Sequence, residues 1–454
     1  MNETTGKNTS RRDFLKSSSR IVAASALAAG VAPSLYAAGA DTIKLALIGC
    51  GGRGTGAASD ALSVKDGRVK VVAMADVFQR RLDNSYKSLS GRGPEQVDVP
   101  KSRQFLGFEG YKEAMACLDK GDVVILATPP AFRWVHFTEA IKRGLNVFME
   151  KPVTVDGPTT KRMIDLAKQA GEKNLKCGVG LMVRHCRGRR ELKERIDSGE
   201  IGEIILMRGY RMGGRAATCG RKPDNISDVL YQVQRFHSFL WASGGMYNDY
   251  YIHQIDELSW MKGAWPVEAH ALGGRHYRGD QVDQNLDTYD VEYTYPDGAR
   301  LFYQGRNMSG CTGGFSSYVH GAKGSAIVSK SGHTPGRVCT YKGHNMAESD
   351  IIWRFPQPEK SPYQFEWDDL IDAIRSDKPY NEVERGAIAS MVSSMGRMAA
   401  HTGQVITYDQ MLNCPHEFAL DADKLTNDGP APVPANADGT YPVPQPGILK
   451  DREY

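Results

Sequence analysis

The amino-acid sequence predicts an α/β fold that begins with a doubly wound parallel sheet. Two observations predict it. An apolar strand over residues 42–48 runs directly into a glycine-rich turn, and apolar strands then alternate with helical stretches as far as residue 149. At 454 residues, the chain also has room for more than one domain.

The turn after the first strand has the pattern G-x-G-x-x-G, over residues 49–54, and opens a helix. Glycines here allow a tight turn and a close approach of the backbone to a pyrophosphate, while the helix N-terminus attracts the phosphates. The second strand, over residues 69–75, ends in Asp76, 22 residues after the last glycine, which is the spacing of an acid that binds the adenosine ribose. These features predict a Rossmann domain that binds a dinucleotide.

Two further strands, over residues 122–127 and 146–149, complete the pattern. Ligands of such sheets bind beyond the carboxyl ends of the strands, so the turns that follow belong to the same predicted site. Asp76 favours NAD because its charge would repel a 2′-phosphate, while the neighbouring Arg80 and Arg81 leave NADP open. The predicted cofactor-binding residues are Gly49, Gly51, Gly52, Arg53, Gly54, Asp76, Thr128, Pro129, Glu150 and Lys151. For His136, in the helix after residue 130, a structural hydrogen bond is the favoured role.

Residues 1–40 have the composition of a twin-arginine export signal. Arg11-Arg12 and Phe14-Leu15 precede a short alanine-rich run over residues 21–32, and small residues follow up to Ala40. The run is too short for a stable membrane span, which predicts cleavage after Ala40 or two to three residues earlier. We expect a periplasmic or otherwise extracytoplasmic protein. Because this pathway exports folded proteins, the cofactor would be taken up before export and bound tightly.

The charge and the cysteine content of the chain argue against nucleic-acid-binding and metal-binding proteins. The chain has 57 Lys and Arg against 53 Asp and Glu, and most of the excess lies in residues 1–40. The nearly neutral remainder predicts no nucleic-acid partner and favours a small, mostly uncharged ligand. The eight cysteines include no C-x-x-C pair and no zinc-type cluster, so no metal site is expected. Disulfides are permitted after export, but apolar surroundings favour buried free thiols.

The order of motifs resembles that of the Gfo/Idh/MocA family of sugar and inositol oxidoreductases. The resemblance covers nearly the whole chain after the predicted signal. Its elements are residues 49–54, Asp76, Thr128-Pro129-Pro130, Glu150-Lys151-Pro152, a turn at 199–202 and the segment GGMYNDYYIHQID at 244–256. It implies a second α/β domain with a mostly antiparallel open sheet, through which a homo-oligomer, a dimer or tetramer, would form.

Four regions are expected along the chain. Residues 1–40 are the signal, 41–152 the Rossmann domain, 153–425 the domain for substrate and oligomerisation, and 426–454 a tail rich in proline and glycine that wraps a surface or a neighbour. Within the second domain, residues 290–304 read as a hairpin and 209–239 as an irregular substrate loop.

The segment 244–256 carries the predicted chemistry. Asp249 and His253 are four residues apart, so on a helix they would lie on one face and could present a carboxylate and an imidazole to one ligand. Oxidation of a secondary alcohol needs a base for the hydroxyl proton, and an imidazole suits that role. The resemblance implies a catalytic set in which Lys151 holds the reacting oxygen and the nicotinamide ribose, Asp249 binds a neighbouring hydroxyl and His253 is the acid/base.

This segment departs from the D-x-G-x-H and D-x-x-V-H patterns common in the family, because three tyrosines surround the motif. Their rings could form a wall on which a sugar stacks or pack in the core, and both interpretations stay open. Residues 184–195 could likewise reach substrate or form a solvated basic helix. The weaker substrate candidates are Arg184, His185, Tyr250, Tyr251 and His237, followed by Arg211 and Gln234.

Three functions fit these observations. The first is an exported oxidoreductase that transfers hydride between tightly bound NAD(P) and a secondary hydroxyl of a sugar, glycoside or cyclitol. The second is a redox-neutral glycosidase acting by transient oxidation at C3 and elimination, although the best-described enzymes of that kind replace the E-K-P sequence. The third is a non-catalytic carbohydrate-binding protein, which would not need Lys151, Asp249 and His253.

Overall fold

The computed structural model describes residues 42–65 and 67–454. The predicted export signal lies outside these residues. None of the helices in the described part of the chain combines the length and the hydropathy of a membrane span.

The first sheet confirms the predicted parallel arrangement. Its strands are β1 (Ile43–Ile48), β2 (Val69–Asp76), β3 (Gln104–Leu106), β4 (Val123–Leu126), β5 (Asn146–Met149) and β6 (Cys177–Val179). They lie in the order β3-β2-β1-β4-β5-β6, and every neighbouring pair is parallel. The accompanying helices are α1 (Gly52–Ala61), α2 (Gln79–Ser90), α3 (Gly110–Met115), α4 (Arg133–Arg143) and α5 (Gly157–Glu172).

Both faces of this sheet are covered, which explains its nearly continuous apolar strands. Leu45 and Leu47 of β1 pack in one core with α1, whereas Ala46 and Ile48 between them belong to a second core with α4 and α5. The sheet also extends beyond residue 152, where the sequence placed the domain boundary. Strand β6 is only three residues long and includes a glycine, so no local sequence pattern predicts it.

The second sheet is mostly antiparallel, as the resemblance implied. Its strands are β7 (Ile204–Gly213), β8 (Glu268–Gly274), β9 (Thr288–Thr294), β10 (Arg300–Asn307), β11 (Gly314–Gly321), β12 (Gly324–Lys330), β13 (Cys339–Lys342), β14 (Ile351–Arg354) and β15 (Ile406–Thr407). The order is β14-β13-β12-β11-β7-β10-β9-β8-β15, and β7 pairs with β10 in parallel. The predicted hairpin is confirmed as β9 and β10.

The helices of this half are α6 (Arg187–Asp197), α7 (Asp228–Gln234), α8 (Leu240–Ser243), α9 (Gly245–Lys262), α10 (Pro362–Arg375), α11 (Val383–Thr402) and α12 (Tyr408–Leu412). Helix α9 packs against α11 and against the second sheet. Helix α10 returns to the first domain, where Trp367 and Leu370 pack in the same core as Leu45.

The prediction of a continuous irregular loop over residues 209–239 is wrong. Residues 209–213 are the end of β7, and α7 begins after Ser227, whose hydroxyl accepts from the Leu230 amide at 3.3 Å. The frequent Gly, Arg and Gln residues concealed a strand and a short helix whose buried side chains, such as Val229 and Tyr231, are widely spaced.

The tail wraps the protein's own surface. Val433 and Tyr441 are buried in the core that contains α4 and α5, and Glu453 lies between Arg397 and His401 of α11. The cysteines agree with the favoured interpretation, because all eight are free and five of them are buried.

Candidate active site

A cavity of about 1000 Å³ lies between the carboxyl ends of the first sheet and the start of α9. All ten predicted cofactor-binding residues line it, from Gly49 to Lys151. His237, Asp249 and Tyr250 line it at the end nearer the second domain. The cavity therefore joins the glycine-rich turn to the segment that was predicted to carry the chemistry.

The four glycines of the turn have two different surroundings. Gly49 has a φ of +95°, and a Cβ added there would lie 2.6 Å from the carbonyl carbon of Ala127. A Cβ at Gly54 would lie 2.1 Å from the Gly49 oxygen, so the protein's own backbone requires both glycines. Around Gly51 and Gly52 no described atom lies within 4 Å of the added Cβ. The space beside these two residues fits a closely approaching pyrophosphate.

Asp76 closes this end of the cavity. Its Oδ2 accepts a hydrogen bond from the Cys50 amide at 2.8 Å, and its Oδ1 accepts one from the Phe78 amide at 2.9 Å. Burial raises the pKa of Asp76, while Arg81, which also lines the cavity, opposes this. A carboxylate fixed in this way beside the glycine turn fits the hydroxyls of an adenosine ribose.

The cavity wall contains an ion pair between the half-buried Arg53 and the buried Glu150. The Arg53 Nε lies 2.8 Å from Oε1 of Glu150, and Arg53 also contacts Asp60 at 3.1 Å. His136, opposite, is buried, and its Nδ1 lies 3.2 Å from the Thr128 hydroxyl, which matches the structural role expected for it. Burial lowers the pKa of His136 to about 3, so the ring is neutral.

Three polar side chains meet at the far end of the cavity. The Lys151 Nζ donates to the Asp249 carbonyl oxygen at 2.6 Å and lies 3.2 Å from the Asp249 Oδ1. The other carboxylate oxygen, Oδ2, lies 2.8 Å from Nδ1 of His237. Burial alone would raise the pKa of Asp249, but Lys151 and His237 hold it well below its usual range. Asp249 is therefore an anion between two cationic or proton-donating groups.

His253 occupies a different environment. It follows Asp249 by one turn of α9, as predicted, but it is not among the residues that line the cavity. Its ring lies against that of His333, with centroids 4.4 Å apart, and its Nδ1 is buried without a hydrogen-bond partner. Burial, followed by His333, Lys151 and Arg211, lowers the pKa of His253 well below its usual value.

The structure separates the weaker substrate candidates. Tyr250 lines the cavity beside His237, whereas Tyr251 is fully buried and its hydroxyl accepts from the Asn307 amide at 2.5 Å. Arg184 forms a bidentate pair with the buried Asp256. These contacts place Tyr251 and Arg184 in the interior, away from the cavity.

The remaining candidates also lie away from the cavity wall. His185 contacts Asp369 at 2.8 Å, where the 3₁₀ turn Met182–His185 packs against α10. Arg211 donates to Nε2 of His333 at 2.9 Å, and Gln234 is exposed. The pairing of His237 with Asp249 was not foreseen, because the two residues are separated by a turn and a short helix with no periodic relation between them.

The fold and the cavity together define a nucleotide-binding Rossmann oxidoreductase with a second, substrate-side domain. Residues 43–179 match the model of an oxidoreductase family with an NAD-binding Rossmann fold, and residues 189–327 match the GFO/IDH/MocA C-terminal domain. The chain belongs to the Gfo/Idh/MocA family, and its cofactor is NAD.

Curated relatives include inositol dehydrogenases. The chain is 26% identical over 260 residues to a scyllo-inositol 2-dehydrogenase (NAD(+)) of Bacillus subtilis, which is 57% of this chain and 68% of that protein. It is 27% identical over 155 residues to an inositol 2-dehydrogenase of Leifsonia xyli, covering 34% of this chain and 43% of the relative. The match thus spans less than half the length of the second relative.

Solved structures share the fold over 81% of this chain. An aldose-aldose oxidoreductase from Caulobacter crescentus matches with a TM-score of 0.62 at 16% identity, over 100% of its own chain. A scyllo-inositol dehydrogenase from Lactobacillus casei, with bound NAD(H) and scyllo-inositol, matches with a TM-score of 0.60 at 21% identity, again over its full chain.

Proposed function

We propose that the protein is an exported oxidoreductase that oxidises a secondary hydroxyl of a cyclitol or sugar and keeps its NAD tightly bound. The observation that carries the proposal is the meeting of Lys151, Asp249 and His237 in the same cavity as the glycine-rich turn. The inositol dehydrogenases among the curated relatives support a polyol as substrate.

The side chains at this end suit an alcohol that loses hydride. The Lys151 ammonium is held by two oxygens of Asp249, so its remaining N–H can donate to the reacting oxygen and stabilise negative charge that develops there. The Asp249 carboxylate supplies an acceptor for a neighbouring hydroxyl. Bound NAD+ supplies the hydride acceptor. Glu150 and Arg53, which line the cavity and already contact each other, would hold the cofactor.

Export is supported by residues 1–40 of the sequence, and tight binding of NAD follows from it. An enzyme outside the cytoplasm has little free NAD to exchange, so hydride taken from one polyol must be returned within the same site.

The test uses the purified protein without added cofactor. Cofactor released on denaturation is identified by mass, and the native protein is incubated with myo-inositol, scyllo-inositol, free sugars and aryl glycosides, with products followed by NMR. We expect one equivalent of NAD per chain and a keto product. Release of an aglycone without net oxidation would establish the glycosidase instead, and protein that neither contains nor binds NAD would refute both enzymes.

A further inference from the structure

We propose that Arg211 binds a carboxylate on the substrate, so that the polyol oxidised by this protein is a sugar acid rather than a neutral sugar. The inference rests on the proposed function and names the substrate class of that same site. It is drawn from a guanidinium that lies beside the substrate end of the cavity and contacts no acidic side chain in the part of the chain that the structure describes.

The strand that carries Arg211 directs its side chain towards α9. Side chains alternate along β7, and Met207 belongs to the same core as Leu258 of α9. A Cβ added at Gly209 would lie 3.3 Å from the Leu258 side chain. Arg211 follows at the same spacing of two residues, so it leaves the strand on the face that packs against α9. This is the side on which α9 carries Tyr250.

The contacts of the Arg211 guanidinium orient it without balancing its charge. Its Cζ lies 4.5 Å from the ring centre of Phe315 and 5.9 Å from that of Tyr250, and its Nη1 donates to Nε2 of His333 at 2.9 Å. Tyr250 lines the cavity next to His237, with the two ring centres 5.4 Å apart. The guanidinium therefore lies one aromatic ring beyond the polar end of the cavity, fixed by two rings and an imidazole.

Two cations near Arg211 are each paired with a carboxylate. The Lys151 Nζ lies 3.2 Å from Oδ1 of Asp249, and the Arg189 Nε lies 3.0 Å from Oε2 of Glu257. For Arg211, no carboxylate lies within ion-pair distance in residues 42–65 and 67–454. These five side chains thus carry one positive charge in excess. Because Arg211 is half-buried, water and salt screen this charge incompletely, which favours the binding of an anion.

His333 gives a second indication of a ligand oxygen. Because an arginine only donates, Nε2 of His333 is the acceptor, and the proton of the neutral ring lies on Nδ1. Burial, and then the nearby cations with Arg211 first, lower the pKa of His333 well below its usual value, so the ring is neutral. Its Nδ1 is buried and has no hydrogen-bond partner among the described residues. A buried donor of this kind needs an acceptor, which a ligand oxygen would supply.

A carboxylate matches this site better than a phosphate. The excess is one positive charge, which equals the charge of a carboxylate, whereas a phosphate ester carries close to two negative charges at neutral pH. Among the described residues only Nη1 of Arg211 donates a hydrogen bond, which leaves Nε and Nη2 for the two oxygens of a planar carboxylate. Hexuronates combine such a carboxylate, in place of the terminal hydroxymethyl group, with the secondary hydroxyls that the oxidation needs.

The first experiment measures binding without turnover. The whole protein is loaded with NADH, which cannot accept hydride, and titrated calorimetrically with hexuronates and with the neutral hexose that matches each one. We expect at least one hexuronate to bind about tenfold or more tightly than its hexose, and this difference to disappear in Arg211→Gln while the affinity for the hexose changes less than about threefold. Equal binding of acid and neutral sugar in wild type, or an equal loss of both in Arg211→Gln, would overturn the proposal.

Two further variants separate charge from folding. Arg211→Lys keeps the positive charge but not the planar fork, so it should retain part of the preference for the acid. Arg215→Gln removes one positive charge from an exposed position in the same segment and should retain all of it. Glucose 6-phosphate is included in the titrations, and tighter binding of this phosphate than of glucuronate would show that the anion recognised is not a carboxylate.

The second experiment follows one turnover of the NAD-bound protein through the absorbance of NADH. Arg211→Gln should raise the half-saturating concentration of the hexuronate about tenfold with little change in the limiting rate, because Arg211 would contact the ligand away from the reacting carbon. If hexuronates bind through Arg211 and none is oxidised, the proposed function fails and the binding inference stands. If neutral polyols are oxidised in preference to the acids, with or without Arg211, the inference fails and the proposed function stands.

Discussion

The two ends of the cavity are built in different ways. At the cofactor end, residues 49–54 form one continuous turn whose shape follows from close backbone contacts at Gly49 and Gly54. At the substrate end, Lys151 and Asp249 are 98 residues apart and meet through contacts between domains. The cofactor end therefore depends on its own local sequence, whereas the substrate end depends on supports elsewhere in the chain.

Arg397 is the clearest of these supports. From the buried helix α11 it donates to the Gly244 oxygen at 3.0 Å, just before α9, and to the Val155 oxygen at 3.0 Å, just after Lys151. Its charge is balanced by Glu453 near the end of the tail, with Nη2 and Oε1 2.8 Å apart. The two segments that carry Lys151 and Asp249 are thus linked through a residue from the last part of the chain.

Removing the charge that balances Arg397 should change the protein's stability more than any other substitution considered below. Glu453→Gln leaves the guanidinium of Arg397 buried without a balancing charge, which should lower the free energy of unfolding by about 3–5 kcal/mol. Denaturant unfolding of the two proteins at neutral pH measures it. Glu348→Gln, which removes an exposed partner of Arg354, is the control and should leave unfolding unchanged. Equal unfolding of wild type and Glu453→Gln would show that the tail does not support the site.

The pairing of Glu453 with Arg397 also makes the free energy of unfolding depend on pH. Burial alone would raise the pKa of Glu453, but Arg397 and His401 lower it to about 2, below the value of about 4.3 in the unfolded chain. The stability that it contributes is therefore present above about pH 4.3 and is lost as the pH falls towards 2. The difference between wild type and Glu453→Gln should shrink over that interval, and a difference that is constant with pH would contradict the pairing.

The second effect is on the substrate end itself. Lys151→Ala removes the cation that faces the reacting oxygen, so kcat should fall about a hundred- to a thousandfold. Because Lys151 is held by Asp249 rather than by the glycine turn, the dissociation constant for NAD should change little. Fluorescence titration of cofactor-stripped protein with NADH gives the dissociation constant, and steady-state kinetics with a second sugar as hydride acceptor give kcat. Normal turnover would rule out the proposed role of Lys151.

The third effect contrasts two glycines of one turn. Gly54→Ala places a Cβ against the Gly49 oxygen and should lower the free energy of unfolding by about 1–3 kcal/mol. Gly51→Ala meets no described atom, so its stability should match wild type while its affinity for NAD falls about tenfold. Thermal unfolding and NADH titration of both variants test this, and unchanged NAD affinity in Gly51→Ala would place the pyrophosphate elsewhere.

The smallest effect concerns cofactor choice. Asp76→Asn removes the charge that faces the ribose, which should weaken NAD binding about tenfold and raise the affinity for NADP relative to NAD. Asp83→Asn on α2, which is exposed, is the control. An unaltered ratio of the two dissociation constants would mean that Asp76 does not contact the ribose.

Much of the first domain could be predicted from the sequence because its signals are local. The strand, the glycine turn and Asp76 follow one another within 34 residues from Ile43, and their alternation of apolar and turn residues reflects a sheet buried on both faces. The continuation of the first sheet past residue 152 could not be predicted, because β6 pairs with β5 through a three-residue strand that has no periodicity of its own. The prediction of a loop over residues 209–239 was wrong because arginines and glycines interrupt the alternation of apolar and polar residues along β7.

By itself, the sequence determined the dinucleotide turn, the acid that follows it, and the helix on which Asp249 and His253 lie one turn apart, since helix and strand periods depend on neighbouring residues. The position of each histidine relative to the cavity, with His237 in its wall, depends on tertiary contacts. A four-residue spacing sets the direction of two side chains from one helix, but the turn that brings His237 to Asp249, and the loop that lays His333 over His253, come from other parts of the chain. Burial and the neighbouring His333, Lys151 and Arg211 then lower the pKa of His253 well below its usual value.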